Sequence, residues 1–419
     1  MGSMQPPRYR IIFAIPPLLL GLTALVCGAE PKPASIPTLD LEACRQIGLD
    51  KQPAIAAYRA SEAAAETKAK ALEELSIATV VAHDIPIRRQ QACLGIRIAQ
   101  ARVNQAERDT VAAVTRTYLT ALYAHQQDEL LDRALMNLKE LRKTIDEIVK
   151  EGLRKDVTTR DLKRVDVIIQ LAEAKQEEAK SGYERALAGL REAMGVGPDY
   201  AFTLTAKELP YPKVDVKRDA VRELALAHRP ELAQAVEVNE VFTLEVKAQG
   251  KIHGVTGRTF ASGSDLHADA VPQGVSNSEY RPGAVGLEMP VNLTGTQSAR
   301  VEEAQALEAR AAAVVDKTRG LIALEADDAF LRWDEAAKKF PKVRDGADKA
   351  EELARKLRDD FKASAKVRIE DVIASGILAA QLRADANETL FKYLLSLSSL
   401  ERATGGGLRF DFFANGKKP

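Results

Sequence analysis

Apolar and polar residues recur along most of this chain with the spacing of helices that bury one face. Apolar positions return every three or four residues, and long stretches contain neither Gly nor Pro. The pattern predicts four long helices, over about 88–149, 159–194, 300–361 and 368–404. It also predicts shorter helices that end before Pro53 and Pro230, and others that follow these prolines to about Leu75 and Gly250. A helix of about 60 residues is roughly 90 Å long, so we expect coiled-coil packing.

The chain carries this pattern twice. Ile47–Ala56 is similar to Leu224–Ala233, and each segment ends in a Pro followed by an Ala-containing helix start. Further along, Leu190–Gly195 is similar to Leu400–Gly405. A duplicated pattern of this kind is typical of one structural unit used twice. We therefore predict a mainly α fold of two repeats, each a long antiparallel helical hairpin, and a kink at Pro341 in the second long helix.

The second copy contains about 35 residues that the first lacks. They lie in the second insert, between Gly250 and Arg300; the first insert lies between Leu75 and Arg88. The second insert carries an alternating run that predicts a strand with one apolar face, formed by Val285, Leu287, Met289, Val291 and Leu293. A weaker strand candidate covers 252–261, so we expect a small β-hairpin in the second repeat.

The predicted organisation has four parts. Residues 1–29 form a signal peptide, 30–207 the first repeat, 208–407 the second repeat with its β-hairpin insert at about 251–298, and 408–419 a C-terminal tail.

The N-terminus has the pattern of an export signal. Arg8 and Arg10 precede the apolar run Ile11–Val26, and small residues follow it. This run is short for a membrane span, and no later segment is apolar enough for one. Lipid attachment at Cys27 after cleavage stays open as an alternative. After cleavage, Cys44 and Cys93 remain, and we expect two small buried residues rather than a disulfide.

Composition narrows the function. The 60 Lys and Arg residues balance 60 Asp and Glu residues, which argues against nucleic-acid binding. Aromatic residues make up 5% of the chain, which suits helices packed through small side chains better than a large aromatic core.

Candidate catalytic or metal-binding residues are few. Asp265, His267 and Asp269 alternate along the second insert, so their side chains would share one face of a strand. Two carboxylates and an imidazole suit a divalent ion, which makes a metal-dependent enzyme the third hypothesis. A solvated polar loop is the favoured interpretation, and His83 beside Asp84 indicates less still. We therefore predict no enzyme, no cofactor and no metal site.

In the order of its motifs, the sequence resembles the TolC family of outer-membrane efflux proteins over about residues 39–407. The resemblance rests on the duplicated helix starts at Pro53 and Pro230, and on Asp161 and Asp371 just past the helical turns. It rests also on three further segments: Met289–Leu293, Arg300–Ala304 (similar to Arg88–Ala92) and Leu400–Gly405.

The resemblance implies a homotrimer whose antiparallel helices form a periplasmic tunnel below an outer-membrane β-barrel. It further implies a passive efflux or secretion duct that meets a periplasmic adaptor (membrane fusion) protein and, through it, an inner-membrane pump. The chain departs from this pattern in the first insert, where 76–87 is too short for two spanning strands of about 9–11 residues each. A periplasmic or membrane-attached scaffold with the same fold, but no complete barrel, is therefore the alternative.

In the family the turns between the long helices form the adaptor-docking and gating end. The resemblance places the candidates there: Gly152, Leu153, Arg154, Lys155 and Asp161 in the first copy, and Lys366, Arg368, Glu370 and Asp371 in the second. Opposite charges on neighbouring turns would form ion pairs that hold the tunnel shut; ordinary loop polarity is the alternative. Ala365 replaces a Gly that is usual in the family.

Overall fold

The computed structural model describes residues 36–75, 82–261, 288–363 and 367–413. This part of the chain is mainly α, as predicted. Its helices are α1 (Leu41–Lys51), α2 (Pro53–Glu74), α3 (Ile85–Glu151), α4 (Thr159–Ala193), α5 (Arg218–His228), α6 (Pro230–Gln249), α7 (Gln297–Lys362) and α8 (Ile369–Ala403). The two long hairpins, α3 with α4 and α7 with α8, confirm the predicted fold class. We expected α3 and α7 to begin at Arg88 and Arg300, and both begin three residues earlier.

The duplication is visible in the helix lengths. Helices α1 and α5 each have 11 residues, and α4 and α8 each have 35. Helices α3 and α7 have 67 and 66 residues, so each is about 100 Å long. Pro53 and Pro230 stand at the first position of α2 and α6, where the missing N–H costs no helical hydrogen bond. Helix α7 continues past Pro341.

Three apolar clusters lie along the molecule. The largest joins α1, α3 and the end of α4 to α5, α7 and α8, and it includes Tyr118, Trp333 and Tyr393. A second lies between the start of α3, α6 and α7. The third lies at the hairpin tips. Long amphipathic helices gain most of their stability from such contacts, so the three clusters hold the two repeats together.

Each repeat contains one pair of short strands. Strands β1 (Thr38–Leu39) and β2 (Thr203–Leu204) pair in parallel. Strands β3 (Thr256–Arg258) and β4 (Asn292–Thr294) pair antiparallel, which confirms a small β-hairpin in the second repeat.

The apolar face predicted for the second insert is only partly correct. Met289 and Leu293 are buried, but Val291 is 64% exposed. The reason is that the strand begins only at Asn292, so the two-residue alternation does not extend back through Val291. Val285 and Leu287 lie outside the described residues.

The two cysteines among the described residues differ in environment. Cys44 is fully buried, and burial raises the pKa of its thiol to about 12. Cys93 is exposed on α3, so the prediction of two buried cysteines is wrong for this residue. Its neighbours Ala92 and Leu94 face the core, and a helix turns residue 93 away from the packed side. Both thiols are free.

In each repeat, a glycine after the last helix packs against the backbone before the proline of the same structural position. Gly195 follows α4 with φ 66°, and Gly405 follows α8 with φ 59°. A Cβ atom on Gly195 would lie 2.6 Å from Cα of Gln52, and one on Gly405 would lie 2.5 Å from the carbonyl oxygen of His228. Gln52 and His228 lie at the break before Pro53 and before Pro230, so the same close backbone approach occurs in both copies.

A hydrogen-bond network of buried polar side chains joins α3 to α7, the first helices of the two hairpins. Arg88 of α3 donates to both carboxylate oxygens of Glu245 in α6, and to the carbonyl of Arg258 in β3 at 2.6 Å. Glu245 accepts from Gln249 at 2.7 Å, and Gln249 accepts from Arg300 of α7 at 3.2 Å. Each buried charged side chain in this network, Arg88, Glu245 and Arg300, therefore has hydrogen-bond partners.

Arg300 holds the loops around the second insert. Its guanidinium is fully buried and donates to the carbonyls of Ile252 at 2.7 Å, Gly254 at 2.7 Å and Gly295 at 2.8 Å. Gly257 of β3 approaches so closely that a Cβ atom there would meet Gln249. Arg88 and Arg300 are the arginines that begin the two similar sequence segments, and each occupies the fourth position of its helix.

We predict that Gly195→Ala and Gly405→Ala each lower the free energy of unfolding by at least about 1–2 kcal/mol. A left-handed backbone costs an L-residue about this much, and the close backbone approach adds to it. Gly320→Ala is the matched control. Gly320 is exposed inside α7 with open space around it, so alanine should raise stability by about 0.5–1 kcal/mol. Chemical unfolding followed by circular dichroism measures all three. Equal stability of Gly195→Ala and Gly320→Ala would show that the left-handed backbone and close packing at Gly195 do not require a glycine.

Candidate functional site at the hairpin tips

The tip of the first hairpin is built from the end of α3 and the turn that follows it. Gly152 takes a left-handed conformation with φ 65°, and its N–H donates to the carbonyl of Ile148. This is the usual way in which a glycine ends a helix. Leu153 is 65% exposed, whereas Val157 is buried in the apolar cluster of the tips. The turn therefore presents one apolar side chain to solvent and buries another.

Arg154 connects the two hairpin tips. Its guanidinium lies 4.9 Å from the ring centre of Phe361, near the end of α7, and donates to the carbonyl of Val367 at 2.8 Å. It also forms an ion pair with Asp156 of its own turn, with Nε 3.1 Å from Oδ1. The hydrogen bond between the two raises the pKa of Arg154 and holds the pKa of Asp156 below its usual range. Both groups are therefore charged at neutral pH.

The fourth helix of each repeat begins with an acidic residue at the same position. Asp161 is the third residue of α4, and Asp371 is the third residue of α8. Asp161 accepts from the backbone N–H of Thr158 at 2.9 Å, which caps the helix start. Asp371 instead accepts from the guanidinium of Arg368 at 3.3 Å. Both carboxylates also lie at the positive end of a helix dipole.

An arginine that the sequence analysis did not select lies between the two tips. Arg164 of α4 is 3.8 Å from Asp161 and 3.8 Å from Glu370 of α8. The sequence held part of this signal, since Arg164 is three residues after Asp161 on one helix. Its contact with Glu370 could not be read from spacing, because the two residues belong to different hairpins.

The predicted site residues are thus only partly brought together. Lys155 is exposed, and Lys366 lies outside the described residues. Arg154 and Arg368 form their ion pairs within their own tips, with Asp156 and Asp371. Within one chain, the described contacts between hairpins at this end include Arg164 with Glu370 and Arg154 with Val367. A role of these residues in docking or gating stays a prediction.

A groove of about 720 Å³ runs between the hairpins above the tips. Its apolar lining includes Leu141 of α3 and Val372 of α8. Charged residues of α7 line it too, among them Asp348 and Glu351, which pair with Arg383 of α8 at 2.7 and 2.6 Å. The carboxylates raise the pKa of Arg383, first through the hydrogen bond that its guanidinium donates to Glu351. The groove has an apolar floor and a charged edge.

The described residues contain neither a metal-binding cluster nor a membrane-spanning helix. The metal candidates Asp265, His267 and Asp269 lie outside the described residues. Within the described ranges, no group of three His, Cys, Asp or Glu side chains is placed to hold a metal ion. No described helix is long and apolar enough to cross a membrane.

Solved outer-membrane channels have the same fold. A membrane protein from Pseudomonas aeruginosa is 15% identical, with a TM-score of 0.69 over 90% of this chain and 93% of that one. The outer-membrane channel OprN is 14% identical, with a TM-score of 0.70 over 87% of this chain and 90% of that one. The open MtrE outer-membrane channel of Neisseria gonorrhoeae is 13% identical, with a TM-score of 0.66 over 88% of this chain and 89% of that one.

The chain therefore has the fold of the TolC family of outer-membrane channels. At the sequence level, no family model and no curated protein matches it.

We predict that Arg154→Ala loosens the tips and lowers the free energy of unfolding by about 1–3 kcal/mol. The substitution removes a charged donor from the carbonyl of Val367 and a cation from the ring of Phe361. Hydrogen exchange at residues 367–373 should become faster. Lys155→Ala is the matched control, since Lys155 is the exposed neighbour in the same turn, and it should change stability by less than about 0.5 kcal/mol. Similar exchange in both variants would show that Arg154 does not join the tips.

Proposed function

We propose that this chain is an exported subunit of a trimeric helical tunnel, a passive duct of an efflux or type I secretion-like assembly at the outer membrane. The observation that carries this proposal is the fold, which matches solved outer-membrane channels over about 90% of the chain. The proposal also includes membership of the TolC family. It requires no catalytic residue, because substrates would pass through unchanged.

Exposed apolar side chains on the long helices support the trimer. Val167 and Leu171 lie one turn apart on α4 and are 60% and 63% exposed. Met136 of α3 is 68% exposed, and Leu331 and Leu353 of α7 are about half exposed. Adjacent exposed apolar side chains, such as Val167 and Leu171 one turn apart on α4, are typical of a surface that another subunit covers. Neighbouring copies of the same chain would cover them in a closed ring.

The groove above the tips supports docking of a periplasmic adaptor. Its apolar floor and charged edge suit a helical hairpin that inserts apolar side chains and pairs its charges at the rim. The candidates Gly152, Leu153, Arg154 and Lys155 lie at the same end of the molecule as this groove. An inner-membrane pump would then be coupled only through the adaptor.

We predict that the mature protein in mild detergent is a trimer by light scattering, and that Val167→Glu with Leu171→Glu converts it to monomers. A buried unpaired carboxylate at a subunit interface is strongly unfavourable. Val167→Ile with Leu171→Met is the matched control, because it keeps the apolar surface and should keep the trimer.

A monodisperse monomer of the unmodified mature protein would contradict the tunnel. A charged double variant that stays trimeric would keep the tunnel but place this face of α4 outside the subunit interface.

The second candidate function is a periplasmic or membrane-attached scaffold with the same helical fold. The short first insert favours it, since the first copy has only about a dozen residues where the second has its longer insert. Cell fractionation separates the two candidates. A duct should stay in the outer-membrane pellet after washing with high salt, and it should give conductance in a planar lipid bilayer. A protein recovered in the soluble periplasmic fraction would support the scaffold instead.

A further inference from the structure

Two histidines that are far apart in sequence meet at the bases of the two inserts. His83 lies in the turn that precedes α3, and His253 follows the end of α6. Their ring centres are 5.9 Å apart, and the ring planes are nearly perpendicular at 87°. Both side chains are exposed, so ions in solution can reach them. In the sequence, Asp84 is the only candidate partner beside His83, and the fold brings a second imidazole to it.

The separation of the rings suits two ligands of one metal ion. An imidazole nitrogen lies about 2.0–2.1 Å from a bound zinc ion, so two rings that share an ion have centres roughly 5–6.5 Å apart. The nearby carboxylate of Asp84 accepts from Arg88 at 3.1 Å. Among the described residues, neither imidazole has a hydrogen-bond partner that would compete for its ring nitrogens.

We propose that His83 and His253 bind one divalent transition-metal ion, such as zinc, nickel or copper, with water in the remaining positions. Imidazole is a preferred ligand of these ions, whereas calcium and magnesium require oxygen ligands. The affinity should follow the usual order for divalent ions, with copper bound most tightly.

The bound ion would join the two inserts at their bases. His83 is adjacent to Asp84, which pairs with buried Arg88. His253 lies between Ile252 and Gly254, whose carbonyls both accept from buried Arg300. The ion therefore links, from the outside, the two loops that the buried arginines hold from the inside. Since the site exists only in the folded chain, binding should also raise the unfolding temperature.

The test uses the full chain without a polyhistidine tag, freed of metal with a chelator and titrated with zinc chloride in a calorimeter. We expect one zinc site per chain in the unmodified protein. His83→Ala and His253→Ala should each weaken binding at least about tenfold, because even outer partners of metal ligands cost about 10–100-fold. Electron paramagnetic resonance with copper(II) should show two nitrogen ligands, and one in either variant.

Two further variants complete the design. His125→Ala removes a histidine of α3 that lies beside Glu129 at 3.5 Å, and zinc binding should be unchanged. His267→Ala tests the other histidine of the second insert, and it should also leave the affinity unchanged. The proposal is overturned when the unmodified chain binds no zinc, when His83→Ala and His253→Ala bind as tightly as it does, or when only His267→Ala abolishes binding. Circular dichroism checks that each variant is folded. None of these outcomes depends on transport activity.

Discussion

Burial of the apolar stripes along α3, α4, α7 and α8 is the interaction on which the rest of this structure depends. Helices about 100 Å long with one apolar face are not stable alone, because most helix stability in proteins comes from packing of that face. Each hairpin buries two stripes against each other, and α3 also packs on α6 and α8. The three apolar clusters then divide the molecule into a base, a middle and a tip, each with its own polar contacts.

The duplicated sequence produces duplicated junctions, but the copies use them differently. Gly195 and Gly405 both pack on the backbone before a Pro, and Arg88 and Arg300 occupy equal positions in their helices. Arg88 is paired with a carboxylate, whereas Arg300 is held mainly by carbonyl groups of the loops around the second insert. The two copies therefore share their backbone geometry at these junctions, but the equivalent arginine side chains have different partners.

The two ends of the long hairpins have different physical character. At the base, buried arginines and a strand pair hold the inserts against the starts of α3 and α7. At the tips, the contacts between hairpins are more exposed, with Arg164 and Glu370 about half exposed and 3.8 Å apart. Exposed ion pairs contribute only about 0.2–1 kcal/mol and weaken with salt. The ion pair between Arg164 and Glu370 is thus weaker than the buried polar contacts of the base, whereas the contacts of Arg154 with Val367 and Phe361 are more buried.

The sequence by itself determined the helices, their order and the duplication, because a 3.6-residue period and Pro and Gly positions act locally. It also located the tip turns and the acidic starts of α4 and α8. Only the tertiary structure decided which distant groups meet: Arg164 with Glu370, Arg154 with the carbonyl of Val367, and His83 with His253. The exposure of Cys93 and Val291 also depended on the fold. The physical reason is that these contacts join segments far apart in the chain, and sequence spacing fixes which residues share a helix face but not which face lies opposite.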